Sequence, residues 1–96
     1  MTNNIAFLDE LEAVIRLRRT TATSNSYTRT LFERGTAFIA QKVGEEGVEL
    51  AIAAVQGDKT RTVAEAADLV YHLLVLLEAS DLTLADVAKE LANRHR

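Results

Sequence analysis

Apolar residues recur along most of the chain at the three- and four-residue spacing of a helix. In the first segment, residues 5–19, Ile5, Leu8, Leu11 and Ile15 lie on one stripe, which predicts an amphipathic helix. The same spacing returns in later segments, which are separated by polar stretches or glycines. Further helices are therefore predicted at residues 27–34, 36–56 and 62–79, and from residue 83 towards the carboxyl end.

The residues at the ends of these segments indicate where the helices begin and end. Ser26 and Thr36 are suited to cap the second and third helices, and Gly57 is suited to end the third. Thr83, followed three residues later by Asp86, has the spacing of a capping box. Short connections are therefore expected between successive helices.

Two features depart from this regular pattern. Residues 20–26 read TTATSNS, a polar stretch without periodicity that predicts a loop, either connecting two helices or ordering over a ligand. Gly44 and Gly47 lie inside the third helix, where a glycine costs about 1 kcal/mol relative to alanine. They indicate either a close approach by a ligand or another backbone, or tight packing between helices.

The composition agrees with a small helical protein. A chain of 96 residues predicts one domain, residues 1–96, near the lower limit for a self-sufficient core. Hydrophobic residues make up 48% of the chain with only two Tyr and three Phe, so aliphatic side chains must fill the interior. Proline is absent, which suits long uninterrupted helices. We therefore expect an all-α fold of four to five helices.

Composition and charge also exclude several classes of function. The chain has no cysteine, which excludes disulfides, thiolate metal sites and a cysteine nucleophile. The net charge is −3 without a basic run, so no nucleic-acid partner is expected. The most apolar run, residues 73–77, is far shorter than the ~20 residues that span a bilayer. A cytoplasmic protein without a membrane partner is expected.

Acidic residues cluster on one face of the third predicted helix. At about 100° per residue, Lys42, Glu45, Glu46 and Glu49 share one sector. Like charges at these spacings destabilise a helix, so a positive partner is expected there. The alternative is an ordinary solvated face on which Lys42 forms salt bridges with the glutamates.

The fourth predicted helix carries a matching polar stripe of Glu65, Asp68 and His72. If the two helices are antiparallel, four carboxylates converge, and oxygen ligands of this kind select Mg²⁺ or Mn²⁺. Glu65 has a second interpretation, a capping box with Thr62, and His72 is also compatible with a hydrogen-bonded core histidine. Asp68 has apolar neighbours and no basic residue at helical spacing, so its burial would require a cation.

These motifs resemble those of a known superfamily. The Glu45, Glu46, Glu49 cluster and the later Glu65, Asp68 pair match the EExxE…ExxD signature of the all-α NTP pyrophosphohydrolases, which include MazG-type proteins and dimeric dUTPases. A wider match, to the phosphoribosyl-ATP pyrophosphohydrolase family, covers roughly residues 26–77. It consists of Ser26-Tyr27-Thr28, Lys42-Val43-Gly44-Glu45-Glu46 with Glu49, Gly57-Asp58, and the stretch EAADLVYHLLVLL at residues 65–77.

The resemblance implies specific roles for these residues. Glu46, Glu49, Glu65 and Asp68 would bind Mg²⁺, and Glu45 would be the catalytic residue that orients the attacking water, or a ligand of a second metal ion. Three further residues are expected to bind the nucleotide substrate: Lys42 and His72 lie on the same stripes as the carboxylates, and Tyr27 belongs to the Ser26-Tyr27-Thr28 segment that would close over the nucleotide. The match departs from the family at Gly47, where alanine is more usual, and this leaves every carboxylate untouched.

The resemblance also implies an activity and an assembly. Phosphoribosyl-ATP would be hydrolysed to phosphoribosyl-AMP and pyrophosphate, the second step of histidine biosynthesis, with Mg²⁺ assisting the attack of water. Family members usually dimerise, so a MazG-like helical bundle completed by a homodimer is expected, with residues 69–77 as the apolar contact surface.

Two other functions fit parts of the sequence. A housecleaning pyrophosphohydrolase for noncanonical nucleotides would share the chemistry, and a non-enzymatic helical dimerisation module would carry the carboxylates as surface charges. A di-iron bundle is disfavoured because neither His72 nor His95 follows a glutamate by three residues.

Overall fold

The computed structural model describes residues 3–21 and 26–95, and these residues form five α-helices without a strand. The expected all-α fold with four to five helices is thus confirmed. The predicted loop at residues 20–26 lies partly outside the described residues. In chain order the helices are α1 Phe7–Thr20, α2 Tyr27–Arg34, α3 Thr36–Val55, α4 Lys59–Ala79 and α5 Leu84–Arg94.

The core lies where α1 and α2 cover the pair formed by α3 and α4. Its fully buried side chains are Ile15, Leu31, Ile39, Leu74 and Val75, which come from these four helices. Burying a side chain of this size contributes about 1.5–3 kcal/mol, so five of them fix how the helices pack. The most extensive helix contact is between α3 and α4.

Of the three predicted N-terminal caps, Ser26 and Thr83 are confirmed and Thr36 is wrong. Ser26 caps α2 by accepting from the backbone N–H of Arg29, and Thr83 forms a capping box with Asp86. Thr36, in contrast, is the first helical residue of α3 rather than its cap. The cap of α4 is also earlier than predicted, and it determines how far the antiparallel helices overlap.

Helix α4 begins at Lys59 because Asp58 caps it, accepting from the Arg61 backbone N–H at 3.0 Å. The alternative capping box of Thr62 with Glu65 is therefore wrong, since both residues lie inside the helix. The chain reverses direction at Gly57, which has a φ of 75° that favours glycine. This tight turn brings the beginning of α4 back along the end of α3.

The apolar surfaces differ from the expectation for dimerisation. None of residues 69–77 is fully exposed, because the chain's own helices cover this part of α4 at least partly. The bare apolar stripe lies instead on α3, where Val48, Ile52 and Val55 are 60%, 47% and 88% exposed. Val63 on α4 is also 71% exposed. No helix in the described part of the chain is long and apolar enough to cross a membrane.

The two glycines inside α3 do not mark tight packing within the chain. A Cβ atom added at Gly44 or Gly47 would meet no atom within 4 Å among the described residues. Of the explanations offered by the sequence, close packing of this chain's own helices is therefore excluded for the part that the structure describes. Gly44 lies one helical turn before Val48, on the side of α3 that carries the bare apolar stripe.

Candidate active site

Three carboxylates from α3 and α4 form a compact group. Glu46 and Glu49 are one turn apart on α3, and Glu65 comes from the facing part of α4. Each offers one ligand oxygen, and these oxygens all lie within 4.8 Å of one another. Glu46 is buried, Glu65 is partly buried and Glu49 is exposed, so the group is open to solvent on one side. The antiparallel arrangement of the two helices produces this convergence.

The environment of Glu65 lacks sufficient positive charge for its carboxylate. Its Oε2 atom is buried and has no hydrogen-bond partner, alone among side-chain atoms of the described residues. Burial raises the pKa of Glu65, and Glu49 and Asp68 raise it further, while Arg61 lowers it only in part. The nearest distance between Arg61 and Glu65 is 3.9 Å, from Nη2 to Oε1. A cation between the carboxylates would supply the missing partner.

Asp68 lies beside this group rather than within it. It is one turn after Glu65 on α4. It is close enough to raise the pKa of Glu65, although burial and Glu49 raise this pKa more. It is not among the three residues whose oxygens lie within 4.8 Å, and it is exposed. The expectation that Asp68 is buried is therefore wrong. The structure brings together three of the four predicted metal-binding residues and places the fourth at the edge.

Glu45 and Lys42 lie on the same face of α3, towards the beginning of the helix. Glu45 is exposed and accepts a hydrogen bond from Gln41 Nε2 at 3.2 Å. This bond lowers the pKa of Glu45, and Lys42 also lowers it, so that together they outweigh the opposing effect of burial. Lys42 Nζ lies 3.5 Å from Glu45 and 3.6 Å from Glu46. The sequence alternative of salt bridges to Lys42 thus holds for these two glutamates, but not for Glu49.

The charge of Lys42 is secured by its neighbours. Burial by itself would lower its pKa, but interactions with Tyr27, Glu45 and Glu46 outweigh this effect and raise the pKa. Lys42 is therefore a fixed positive charge next to the carboxylates. This arrangement suits the binding of a phosphate group whose other oxygens face the cation.

Tyr27 and His72 contact each other across α2 and α4. The hydroxyl of Tyr27 lies 2.9 Å from Nε2 of His72, and Nδ1 of His72 lies 2.7 Å from the backbone carbonyl oxygen of Asp68. His72 is only 5% exposed, whereas Tyr27 is 52% exposed. The structure therefore brings together all three residues predicted to bind the nucleotide, because Lys42 also lies near Tyr27.

Sequence reasoning missed the partners that hold α2 in place. Thr28 is buried and its hydroxyl forms a hydrogen bond with the hydroxyl of Tyr71, while Ser26 caps α2 and accepts from Arg18 Nη1 at 3.5 Å. Burial raises the pKa of Tyr71, partly opposed by Thr28. The Ser26-Tyr27-Thr28 motif is thus attached to its neighbours at every side chain. The sequence does show a tyrosine and a histidine side by side on α4, Tyr71 and His72, as polar partners for α2. Their bonds to Thr28 and Tyr27 join residues 43 and 45 positions apart, which no local pattern reveals.

Nearly the whole chain is similar to known proteins. The sequence model of a family described as phosphoribosyl-ATP pyrophosphohydrolase matches residues 8–95. A histidine biosynthesis bifunctional protein HisIE from Photobacterium profundum is 52% identical over 91 residues, which are 95% of this chain and 44% of the relative. The relative of the same name from Pasteurella multocida is 54% identical over 89 residues, 93% of this chain and 44% of the relative.

A third relative, from Campylobacter jejuni, is 50% identical over 93 residues, covering 97% of this chain and 45% of its own length. It carries the same name, histidine biosynthesis bifunctional protein HisIE. The chain therefore spans less than half the length of the curated relatives that it matches. The similarity includes every residue of the candidate site, because the family match begins at residue 8 and ends at residue 95.

Proposed function

Because the chain belongs to the phosphoribosyl-ATP pyrophosphohydrolase family, we propose that it hydrolyses phosphoribosyl-ATP to phosphoribosyl-AMP and pyrophosphate, in the second step of histidine biosynthesis. The observation that carries the proposal is the group of Glu46, Glu49 and Glu65, in which a buried carboxylate oxygen has no hydrogen-bond partner. A triphosphate and its cation supply the positive charge and the oxygen ligands that such a group requires.

The residues present fit a hard divalent cation. All the converging ligands are carboxylate oxygens, which select Mg²⁺ or Mn²⁺ over softer metals, and we propose Mg²⁺. Glu46, Glu49 and Glu65 would hold the ion directly, and Asp68 would complete the set from the edge. When bound, the ion neutralises charge on phosphate oxygens and favours ionisation of water.

The remaining site residues have separate roles in hydrolysis and substrate binding. Glu45 is exposed and its lowered pKa keeps it ionised, so its carboxylate can accept a hydrogen bond from the attacking water and orient it. Lys42 carries a fixed charge within reach of the phosphates. Water attacks phosphorus, the anhydride bond between the α- and β-phosphates breaks, and pyrophosphate leaves. Tyr27 contacts the nucleotide beside Lys42.

We further propose that the protein is a homodimer. Val48, Ile52 and Val55 on α3 form a bare apolar stripe that continues one turn towards Gly44, where the backbone is open to close approach. A helix of a second copy would cover this stripe and bury it. A cytoplasmic location is proposed because the relatives are named for amino-acid biosynthesis, and no nucleic-acid or membrane partner is required.

A substrate panel tests the proposed activity. Pyrophosphate release would be measured with phosphoribosyl-ATP, ATP, dCTP and dUTP at saturating Mg²⁺, and with Glu65→Gln as the inactive reference. The specificity constant for phosphoribosyl-ATP should exceed the others by orders of magnitude, since a site built for the extra ribose leaves polar groups unpaired with plain nucleotides. The protein should also restore growth without histidine in a host that lacks this step.

Other outcomes would replace the proposal. Equal turnover of dCTP or dUTP would indicate a housecleaning pyrophosphohydrolase of the same superfamily. Absence of turnover with every nucleotide, together with no stabilisation by Mg²⁺, would indicate a non-enzymatic dimerisation module.

A further inference from the structure

His72 is buried between two oxygen atoms with different hydrogen-bonding properties. Its Nδ1 lies 2.7 Å from the carbonyl oxygen of Asp68, and its Nε2 lies 2.9 Å from the hydroxyl of Tyr27. With 5% of its surface exposed and both ring nitrogens occupied, His72 has no polar atom left to offer a substrate.

The carbonyl of Asp68 determines which nitrogen of His72 carries the proton. A carbonyl oxygen only accepts, so Nδ1 must donate to it. In the neutral ring Nε2 then has no proton and accepts, and the hydroxyl of Tyr27 must be the donor. The backbone of α4 thus selects one tautomer of His72, and that tautomer fixes the direction of the bond to Tyr27.

This direction restricts what Tyr27 can offer to a ligand. Its only hydroxyl proton is used in the bond to His72, so the phenol oxygen can only accept a further hydrogen bond. Phosphate oxygens at neutral pH are acceptors as well and are poor partners for it. A hydroxyl of a ribose or an amino group of a base can donate to it.

The position of Tyr27 suits contact with the nucleoside part of a substrate. Tyr27 is 52% exposed, and its ring is stacked against Tyr71 with centroids 6.1 Å apart. Burial has the largest effect on the pKa of Lys42 and lowers it, and Tyr27 is close enough to raise this pKa. Lys42 in turn contacts Glu46 of the carboxylate group at 3.6 Å. Tyr27 is therefore an exposed side chain of the same site, held by His72 and outside the carboxylate group itself.

We propose that His72 is a positioning residue that does not touch the substrate: its Nδ1–H tautomer holds Tyr27, which presents a hydrogen-bond acceptor to a ribose hydroxyl or amino group of the nucleotide. This inference rests on the proposed function for the identity of the ligand. It differs from the sequence expectation that His72 itself binds the nucleotide. Tyr27 and Lys42 are still proposed to contact the nucleotide.

Nuclear magnetic resonance of the full chain tests the tautomer without any substrate. The chain has only two histidines, so ¹⁵N-labelled His72 can be assigned by comparison with His95→Asn. At a pH where the ring is neutral, Nδ1 of His72 should show the chemical shift of a protonated nitrogen and Nε2 that of a bare one. The shift of Nε2 should change in Tyr27→Phe. The opposite tautomer, or a mixture like that of an exposed histidine, would overturn the proposal whether or not the protein is active.

Kinetics with two conservative variants test the role of the bond. Asparagine at position 72 can replace Nδ1 but leaves no acceptor near Tyr27, whereas glutamine can place an amide oxygen near the former Nε2. His72→Asn should therefore raise KM for phosphoribosyl-ATP about three- to tenfold, the usual value of one neutral hydrogen bond, with little change in kcat. Tyr27→Phe should match it, and His72→Gln should recover most of the loss.

A double variant separates positioning from direct contact. If His72 acts only through Tyr27, His72→Asn combined with Tyr27→Phe should be no worse than either change alone. The control is His95→Asn, because His95 is exposed and directly follows α5. This variant should leave KM unchanged. Losses that multiply in the double variant, or a His72→Gln variant as impaired as His72→Asn, would show that His72 contacts the substrate itself.

Discussion

Glu49 and Glu65 face each other across the contact between α3 and α4, with ligand oxygens within 4.8 Å of each other, while the basic side chain of Arg61 contacts Glu65 only at 3.9 Å. Burial raises the pKa of Glu65, and the presence of Glu49 raises it further. Two carboxylates in this position oppose folding unless a proton or a cation joins them. The predictions for metal binding, pH and activity follow from this pair.

Replacement of either member of the pair should abolish activity without unfolding the chain. Glu49→Gln and Glu65→Gln each remove a proposed ligand, so Mg²⁺-dependent pyrophosphate release should fall to background. Because each change also relieves repulsion, the metal-free variants should be at least as stable as the wild type. The rise in melting temperature on adding Mg²⁺ should disappear.

Glu90 supplies the control for these variants, since it is an exposed glutamate paired with Arg94 on α5. Glu90→Gln should retain both the activity and the stabilisation by Mg²⁺. Near-normal turnover by Glu49→Gln and Glu65→Gln at ordinary Mg²⁺ would contradict the proposed site. Asp68→Asn should also lose turnover, and a fully active variant would limit the metal site to the three clustered glutamates.

The raised pKa of Glu65 predicts a specific pH dependence for the metal-free protein. The folded state binds the Glu65 proton more tightly than the unfolded state, because burial and then Glu49 disfavour the anion. The resulting stability is fully present below the unfolded pKa and is lost as pH rises through the folded pKa. Glu65→Gln lacks this loss, so its advantage over the wild type should grow from acid towards neutral pH.

Urea unfolding in the presence of a chelator, over a series of pH values, measures this difference. The difference in stability between Glu90→Gln and the wild type should vary much less with pH than the difference between Glu65→Gln and the wild type. With saturating Mg²⁺ the order should reverse, because the ion binds the ionised wild type and not the glutamine variant. A difference between wild type and Glu65→Gln that does not vary with pH would argue against a raised pKa.

The cap of α4 can be tested against Thr62, the alternative cap that the sequence offered. Asp58→Ala removes the hydrogen bond to the Arg61 backbone N–H and should cost about 1 kcal/mol of unfolding free energy. Thr62→Ala should cost clearly less, because Thr62 lies inside the helix and its hydroxyl bonds back to the Asp58 carbonyl. Thermal or urea unfolding compares the two, and the reverse order would support the alternative cap at Thr62.

The core predicts a large effect on stability at Ile39, two helical turns before Glu46 on α3. Ile39 has no exposed surface, so Ile39→Ala should destabilise the protein by about 2–5 kcal/mol through lost burial and an unfilled cavity. Ile5, which is 68% exposed, provides a matched control whose replacement by alanine should change stability by less than about 0.5 kcal/mol. Equal effects of the two substitutions would contradict the described packing.

The assembly is tested through the bare stripe on α3. Light scattering at micromolar concentration should give about twice the chain mass of 10.6 kDa. Val48→Glu should shift the protein towards the monomer, since a charge in a buried apolar contact is unfavourable. Lys89→Glu, at an exposed position of α5, should not. Circular dichroism checks that both variants remain helical, and a folded wild-type monomer would refute the dimer.

The sequence by itself determined what depends on neighbours along one helix. The placement of Glu46 and Glu49 on one face follows from 100° per residue, and the cap at Ser26 follows from its side chain, so both could be read from the chain. The absence of proline and the aliphatic core determined the helical class in the same way. The family was visible in motifs that are contiguous within each helix.

Only the tertiary structure decided which residues meet across helices. The rotation and axial shift of α3 against α4 depend on how Ile39, Leu74 and Val75 fill the core, and no local pattern specifies them. For this reason Glu65 joins the carboxylate group while Asp68, only one turn later, stays at its edge. The start of α4 at Lys59 was also decided by the tertiary structure. Asp58 and Thr62 both have side chains that can cap a helix, and the turn at Gly57 places Asp58 in the capping position.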